Sequence, residues 1–308
     1  MTRSFLRIVL VMLAFSCAGK PQPSGHTGPP ASTGTVRLVL ADSLGTPGGM
    51  SPRGISFSPD GALYVCDRET RGVLRVNMGD GATVRFGGFD ARNGGRFSPD
   101  DVDASGGVDV FVLDGANSRV FRLDRGLRNA TVISESSSGG RGRFGVFRGI
   151  AYDHSSGDVF VTNGTDGAVE RIDLLSGITR VLGGFGNERM SLRSPAGIAV
   201  SDGNTLLVAD EGRGAVAVLS RSGGEIRFIG TSALDAPRDV AAIPGGLLAV
   251  ADRRGVAIMD RNGIVAGSAG YGADREMQPA SVAWRDGSLF IADALSGMIL
   301  VYAMEHRQ

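Results

Sequence analysis

Residues 194–223 read SPAGIAVSDGNTLLVADEGRGAVAVLSRSG, and this stretch sets the plan for most of the chain. A Pro-Ala-Gly entry leads into a short apolar strand, Ile198–Val200. An Asp-Gly turn follows, then a second strand, Leu206–Ala209, closed by Asp210. A Gly-rich loop leads to a third strand, Val216–Leu219. Polar turn residues between short runs of β-branched and aliphatic residues are the signature of an antiparallel meander.

The second strand and its closing residue occur six times: LYVCD at Leu63–Asp67, VFVLD at Val110–Asp114, VFVTN at Val159–Asn163, LLVAD at Leu206–Asp210, LAVAD at Leu248–Asp252 and LFIAD at Leu289–Asp293. The closing residues are 47, 49, 47, 42 and 41 positions apart, the length of four short strands with turns. Each copy has a first strand after a proline or its equivalent: Gly54–Phe57, Asp101–Ala104, Gly149–Tyr152, Gly197–Val200, Asp239–Ala242 and Ser281–Trp284. The nearly unbroken apolar second strand predicts a strand covered on both faces. The fourth strand, as in Thr83-Val84-Arg85-Phe86, alternates as an outer strand with one wet face does. The last copy has three strands. A matching fourth, Thr35–Leu40, stands at the start of the repeated region. The expectation is an all-β, six-bladed β-propeller of four-stranded antiparallel blades over residues 35–308, closed by the N-terminal strand completing the last blade.

Composition agrees with this plan. The 48 glycines supply tight turns, while aromatics, at 6%, are too sparse for a nucleic-acid stacking surface. Formal net charge is zero, which removes any global pull toward nucleic acid or an anionic membrane. Residues 1–17 read as an export signal: Arg3 and Arg7 precede the apolar run Ile8–Phe15, which is too short to span a bilayer. Leu13-Ala14-Phe15-Ser16-Cys17 resembles a lipobox, with Cys17 as the lipidated residue; ordinary cleavage after Ala18 is the alternative. Residues 18–34 are rich in Pro, Gly, Ser and Thr and read as a flexible tether. The expected location is the cell envelope, with the membrane reached only through the lipid anchor.

The pattern Pro-x-Gly-Ile-Ala-Val followed by Leu-x-Val-Ala-Asp, after Gly-rich, Phe-containing connections such as Leu182-Gly183-Gly184-Phe185-Gly186, resembles the NHL repeat. Val159-Phe160-Val161-Thr162-Asn163 is similar to the related YVTN repeat. The resemblance implies a six-bladed propeller and leaves activity open, because this architecture carries many functions. Some enzymes of this type use histidines on the propeller face. Here the three histidines are His26 in the tether, His154 in a turn and His306 near the C-terminus, so a histidine-based metal or base site is not expected.

Asp67, Asp114, Asn163, Asp210, Asp252 and Asp293 read as turn caps accepting backbone N–H bonds rather than as a ring of metal ligands. Asp100-Asp101-Val102-Asp103 is carboxylate-rich but lacks the spacing of a calcium loop. Cys66 reads as a small buried residue. Neither a metal nor a cofactor is expected.

Propeller loops entering the first strand and leaving the second share one face, around the central channel. The entry positions carry Arg53, Asp100, Arg148, Ala196, Arg238 and Ala280; the loops after strand two carry Arg68, Glu69, Arg71, Glu211, Arg213, Arg253 and Arg254. Arg53, Arg68, Arg148, Arg238 and Arg253 are therefore the candidate ligand-binding rim, suited to a carboxylate or phosphate held by forked hydrogen bonds. A solvated mixed-charge surface is the alternative. The expected function is a monomeric binding scaffold for a protein partner or a small anionic ligand; the alternatives are a lyase or hydrolase at the channel mouth and a subunit of an envelope complex.

Overall fold

The computed structural model describes residues 35–46, 48–87, 97–135, 146–183, 191–201, 205–223, 226–271 and 276–306. Cys17 and the proposed signal and tether lie outside the described residues. The described chain forms six four-stranded antiparallel sheets arranged as a β-propeller. The innermost strands are Pro52–Phe57, Pro99–Asp103, Phe147–Asp153, Pro195–Ser201, Asp239–Ile243 and Pro279–Arg285. Each packs against the innermost strands of both neighbouring blades, so the six enclose a central channel.

Val36–Leu44 pairs antiparallel with Met298–His306, from Val36 opposite His306 to Leu44 opposite Ile299. The ends of the repeated region thus share blade 6. Val36 is buried in the cluster between blades 5 and 6, with Val256, Ile258, Leu300 and Tyr302.

The apolar surface is divided among six clusters, one at each interface between neighbouring blades. This explains the second strands: every residue of Leu63–Asp67 and of Asp158–Asn163 is buried, because both faces meet a neighbour. The outer strands differ from expectation in part. In Thr83–Gly87 only Phe86 is half-buried, its ring 5.9 Å from that of Phe97, and Val84 is exposed. The blade radiates outward, so its outermost strand retains one covered position here instead of an alternating face.

Candidate functional site

The rim is built by the closing residues. Asp67 accepts from the Ser51 N–H at 2.8 Å as well as from Glu69 and Thr70 in its own loop. Asp114 accepts from Ser98, Asp210 from Ser194, Asp252 from Ala236 and Asp293 from Gln278. Each of these donors stands two residues before an entry position. One buried carboxylate therefore clamps two loops and sets the origin of the innermost strand. In blade 3, Asn163 spends its oxygen on Thr165 and Asp166, and the Thr165 hydroxyl takes the N–H of Val146, again two residues before the entry residue Arg148. The capping reading of these six residues holds, and its reach into the entry loop was not visible in the sequence.

In every blade but the fifth the entry residue sits at a β-bulge; in blade 5 the pairing runs regularly from Asp239 opposite Ala251. Pro52 pairs with Asp67 and Ile55 with Val65, which leaves Arg53 and Gly54 across from Cys66 alone. The same shift lies between Phe147 and Ile150 and between Pro195 and Ile198. A bulge redirects its side chains out of the sheet's regular alternation. The residues after the entry prolines or their equivalents line the channel mouth, Arg238 among them without a bulge.

The mouth is a cavity of about 590 Å³ lined by Arg53, Arg68, Arg148 and Arg238, by Asp100, Asp101, Glu211 and Asp239, and by small residues including Ser51, Ser281, Ala196 and Ala280. The expected arginine excess meets an equal number of carboxyl groups. Arg68 donates to Asp100 from Nε at 2.9 Å and from Nη2 at 2.5 Å. Arg148 pairs with Glu211 at 2.7 Å and donates to Ser194 Oγ at 3.0 Å. Arg53 and Arg238 are half-buried, and among the described residues neither guanidinium has a hydrogen-bond or ion-pair partner. The Arg53 Nε is buried with no hydrogen-bond partner. Burial lowers the affinity of Arg53 for its proton, Arg68 and Arg238 lower it further, and Asp100 opposes them. The guanidinium stays charged, so this is a cation held at an energetic disadvantage.

Below the arginines, Asp101 and Asp239 form the waist of the channel. They project from blades 2 and 5, opposite one another in a ring of six. Asp101 accepts N–H bonds from Val102 at 2.9 Å and from Ile150 of the next blade at 2.8 Å; Asp239 accepts from Val240 at 2.8 Å and from Val282 of the next blade at 2.9 Å. Burial pushes both carboxyls up, Asp239 to about 6 and Asp101 well above the usual range, with the charge of Asp239 adding to the shift of Asp101. Beyond the waist the channel widens into a second cavity of about 550 Å³, lined by Phe57, Tyr152, His154, Arg221 and Trp284 among others.

The structure brings four of the five candidate rim residues, Arg53, Arg68, Arg148 and Arg238, to one cavity. Arg253 points elsewhere: its side chain is 58% exposed and 3.8 Å from Asp235. Arg213, from the same class of loop, lies over the Phe228 ring and bonds to the Ser191 carbonyl. His154 lies at the opposite mouth, its ring 5.1 Å from that of Tyr152. Within the Asp100–Asp103 run, Asp100 faces Arg68, while Asp103 accepts from Ser105 and from Tyr152 of the next blade. Among the described residues no group of three or more His, Cys, Asp or Glu side chains is gathered as metal ligands. Cys66 is buried with a free thiol.

A family model for the NHL repeat matches residues 192–219, the entry and first three strands of blade 4. No curated protein matches the chain. Among solved structures, the chain is similar to virginiamycin B lyase from Staphylococcus aureus, with 13% identity, 87% of this chain and 99% of that one covered, and a TM-score of 0.62. It is similar to a gluconolactonase from Xanthomonas campestris, with 16% identity, coverage of 92% and 99%, and a TM-score of 0.67. It is also similar to a chain of a nidogen–laminin complex, with 18% identity, coverage of 77% and 95%, and a TM-score of 0.57. At these identities the likeness is one of fold.

Proposed function

We propose that the protein is a binding scaffold of NHL-repeat type at the cell envelope, and that the channel mouth holds a small anionic ligand, a carboxylate or phosphate, between Arg53 and Arg238. The observation that carries this reading is the pair of guanidiniums without partners among the described residues, one of them with a buried Nε that makes no hydrogen bond there. A buried donor without an acceptor costs about 1–3 kcal/mol. An anion that accepts from both arginines recovers that cost and relieves their mutual repulsion. Arg68 and Arg148 are neutralised by Asp100 and Glu211 and act as the frame. An acidic side chain of a protein partner presents the same chemistry. The envelope location rests on the Arg3/Arg7 segment, its apolar run and Cys17; incorporation of labelled palmitate that Cys17→Ser abolishes is the expected result.

Titration calorimetry with inorganic phosphate and acetate tests the site. Arg53→Ala and Arg238→Ala each weaken binding at least about tenfold, the scale of one charge-assisted hydrogen bond. Arg253→Ala leaves binding unchanged. Equal binding by wild type and both mouth variants overturns the reading.

A lyase or hydrolase is the second reading. It is favoured by one observation: Asp239 borders the cavity with its carboxyl held at about 6, within the range of a general acid. Turnover of an ester or lactone panel that Asp239→Asn abolishes supports the enzyme; inactivity across the panel supports the scaffold.

A further inference from the structure

The mouth has two layers of charge. Once Arg68 is matched with Asp100 and Arg148 with Glu211, the groups left over are the guanidiniums of Arg53 and Arg238 at the entry and the carboxyls of Asp101 and Asp239 at the waist. Arg238 and Asp239 are consecutive residues, and both line the cavity.

A purely anionic ligand satisfies only the upper layer. Its lower end would face two carboxyl groups whose oxygens each hold one backbone N–H, with the Ser281 hydroxyl also donating to Asp239, and which still have lone pairs to offer. A ligand with hydrogen-bond donors on its inner end satisfies both layers. An ammonium group is the compact form of such an end: it carries three donors and a positive charge, and it removes the repulsion between Asp101 and Asp239. The cavity, at about 590 Å³, leaves room for a side chain beyond the two charged ends. Ala196 and Ala280 are small, so the wall beside them leaves that space open.

We infer that the mouth recognises a zwitterion, an α-amino acid whose carboxylate is held by Arg53 and Arg238 and whose ammonium is held by Asp101 and Asp239. This rests on the anion-site reading and narrows it to one ligand class.

The test is calorimetry at pH 8 with the L-amino acids and, for each, the carboxylic acid that lacks the ammonium; inorganic phosphate is the reference anion. At least one amino acid binds about tenfold or more tightly than its deaminated counterpart. Asp239→Asn and Asp101→Asn each collapse that ratio toward one, while Arg53→Ala weakens amino acid and acid together. Wild-type protein that binds every deaminated acid as tightly as its amino acid overturns the inference, whether or not the aspartate variants fold. If phosphate and simple acids then still bind in an Arg53-dependent manner, the anion site stands and the zwitterion alone falls. If no probe binds, both fall.

Discussion

Gly197 lies so close beneath Asp239 that a Cβ at position 197 would overlap Asp239 Oδ1 and stand 2.6 Å from the Asp239 Cα. Gly54 stands in the same relation to Asp101, 2.5 Å from its Cα. In both cases the glycine of one blade makes room for the acid of the next. Gly197→Ala therefore forces the waist of the channel apart. The expected loss is about 1–3 kcal/mol, the range of overpacked cores, read as a lower thermal midpoint. Gly79→Ala, whose Cβ would meet only Asn77 Oδ1 at 3.4 Å, serves as the tolerated control.

The glycine–aspartate relation also marks what the sequence could convey. Arg53, Arg148 and Arg238 were legible because each stands at the same place in a repeated unit, and repetition makes an entry position visible even when its side chain varies. In the sequence Asp101 and Asp239 are simply the first residues of strands. Their equivalents in the other blades are Gly54, Gly149, Gly197 and Ser281, so no pattern set them apart. Only closure of the ring places blades 2 and 5 opposite one another. The pairing of Arg148 with Glu211 was hidden for the same reason, since it spans 63 positions and two blades. Arg253 and Arg68 both follow a second strand and look alike in sequence. The two loops differ: the Asp67 loop continues through Glu69, Thr70 and Arg71, whereas in blade 5 Arg254 is followed directly by Gly255, and both of its arginines face Asp235.

Asp67 holds the entry loop of blade 1 through Ser51 and its own loop through Glu69 and Thr70. Asp67→Ala releases all of these donors from a fully buried acceptor. A loss of about 1–3 kcal/mol is expected, together with weaker anion binding, because Ser51 lines the cavity beside Arg53. Asp67→Asn loses less of both, as Asn163 occupies the same position in blade 3. Equal losses for Ala and Asn, in denaturant melts and phosphate titrations, would rule the clamp out.

Val36 is buried between blades 5 and 6, and its carbonyl lies where a Cβ on Gly267 would come within 2.5 Å. Removal of residues 35–40 takes away this contact and uncovers the edge of Met298–His306. The expected outcome is a lower melting midpoint with aggregation seen by light scattering. A deletion variant that melts like wild type and stays monodisperse refutes a closing role for this strand.

Stability should depend on pH with a definite sign. Asp239 and Asp101 have raised carboxyls in the folded state, chiefly through burial, so the folded protein binds protons more readily than the unfolded chain. The contribution of Asp239 is fully present below the unfolded carboxylate value near 4 and is lost as pH rises through about 6, and that of Asp101 has the same sign. Asp153 has the opposite sign: although burial opposes it, donors from Ser155, Arg221 and Ser156 hold it down at about 2. That contribution is lost as pH falls through about 2. A stability maximum is expected near pH 4–5, followed by a fall of about 1–3 kcal/mol toward pH 7. Asp239→Asn should flatten the fall, and a wild-type profile that rises from pH 5 to 7 would contradict the sign.

The same pair governs how strongly the mouth holds a simple anion. Sulfate keeps one charge state from pH 5 to 8, so any change in its affinity over that range reports the protein. At pH 5 the Asp239 carboxyl retains its proton and the field at the mouth is set chiefly by Arg53 and Arg238. As pH rises through about 6 the waist becomes negative and offsets part of that field. Sulfate affinity measured by calorimetry should fall by at least about threefold from pH 5 to pH 8, since a change of about 0.7 kcal/mol corresponds to that ratio. Asp239→Asn should remove most of the slope, and added salt should weaken binding at every pH, as for a site that draws on charge. A flat wild-type profile would mean that the carboxyls of Asp101 and Asp239 do not act on the ligand, and the two layers would have to be treated as separate sites.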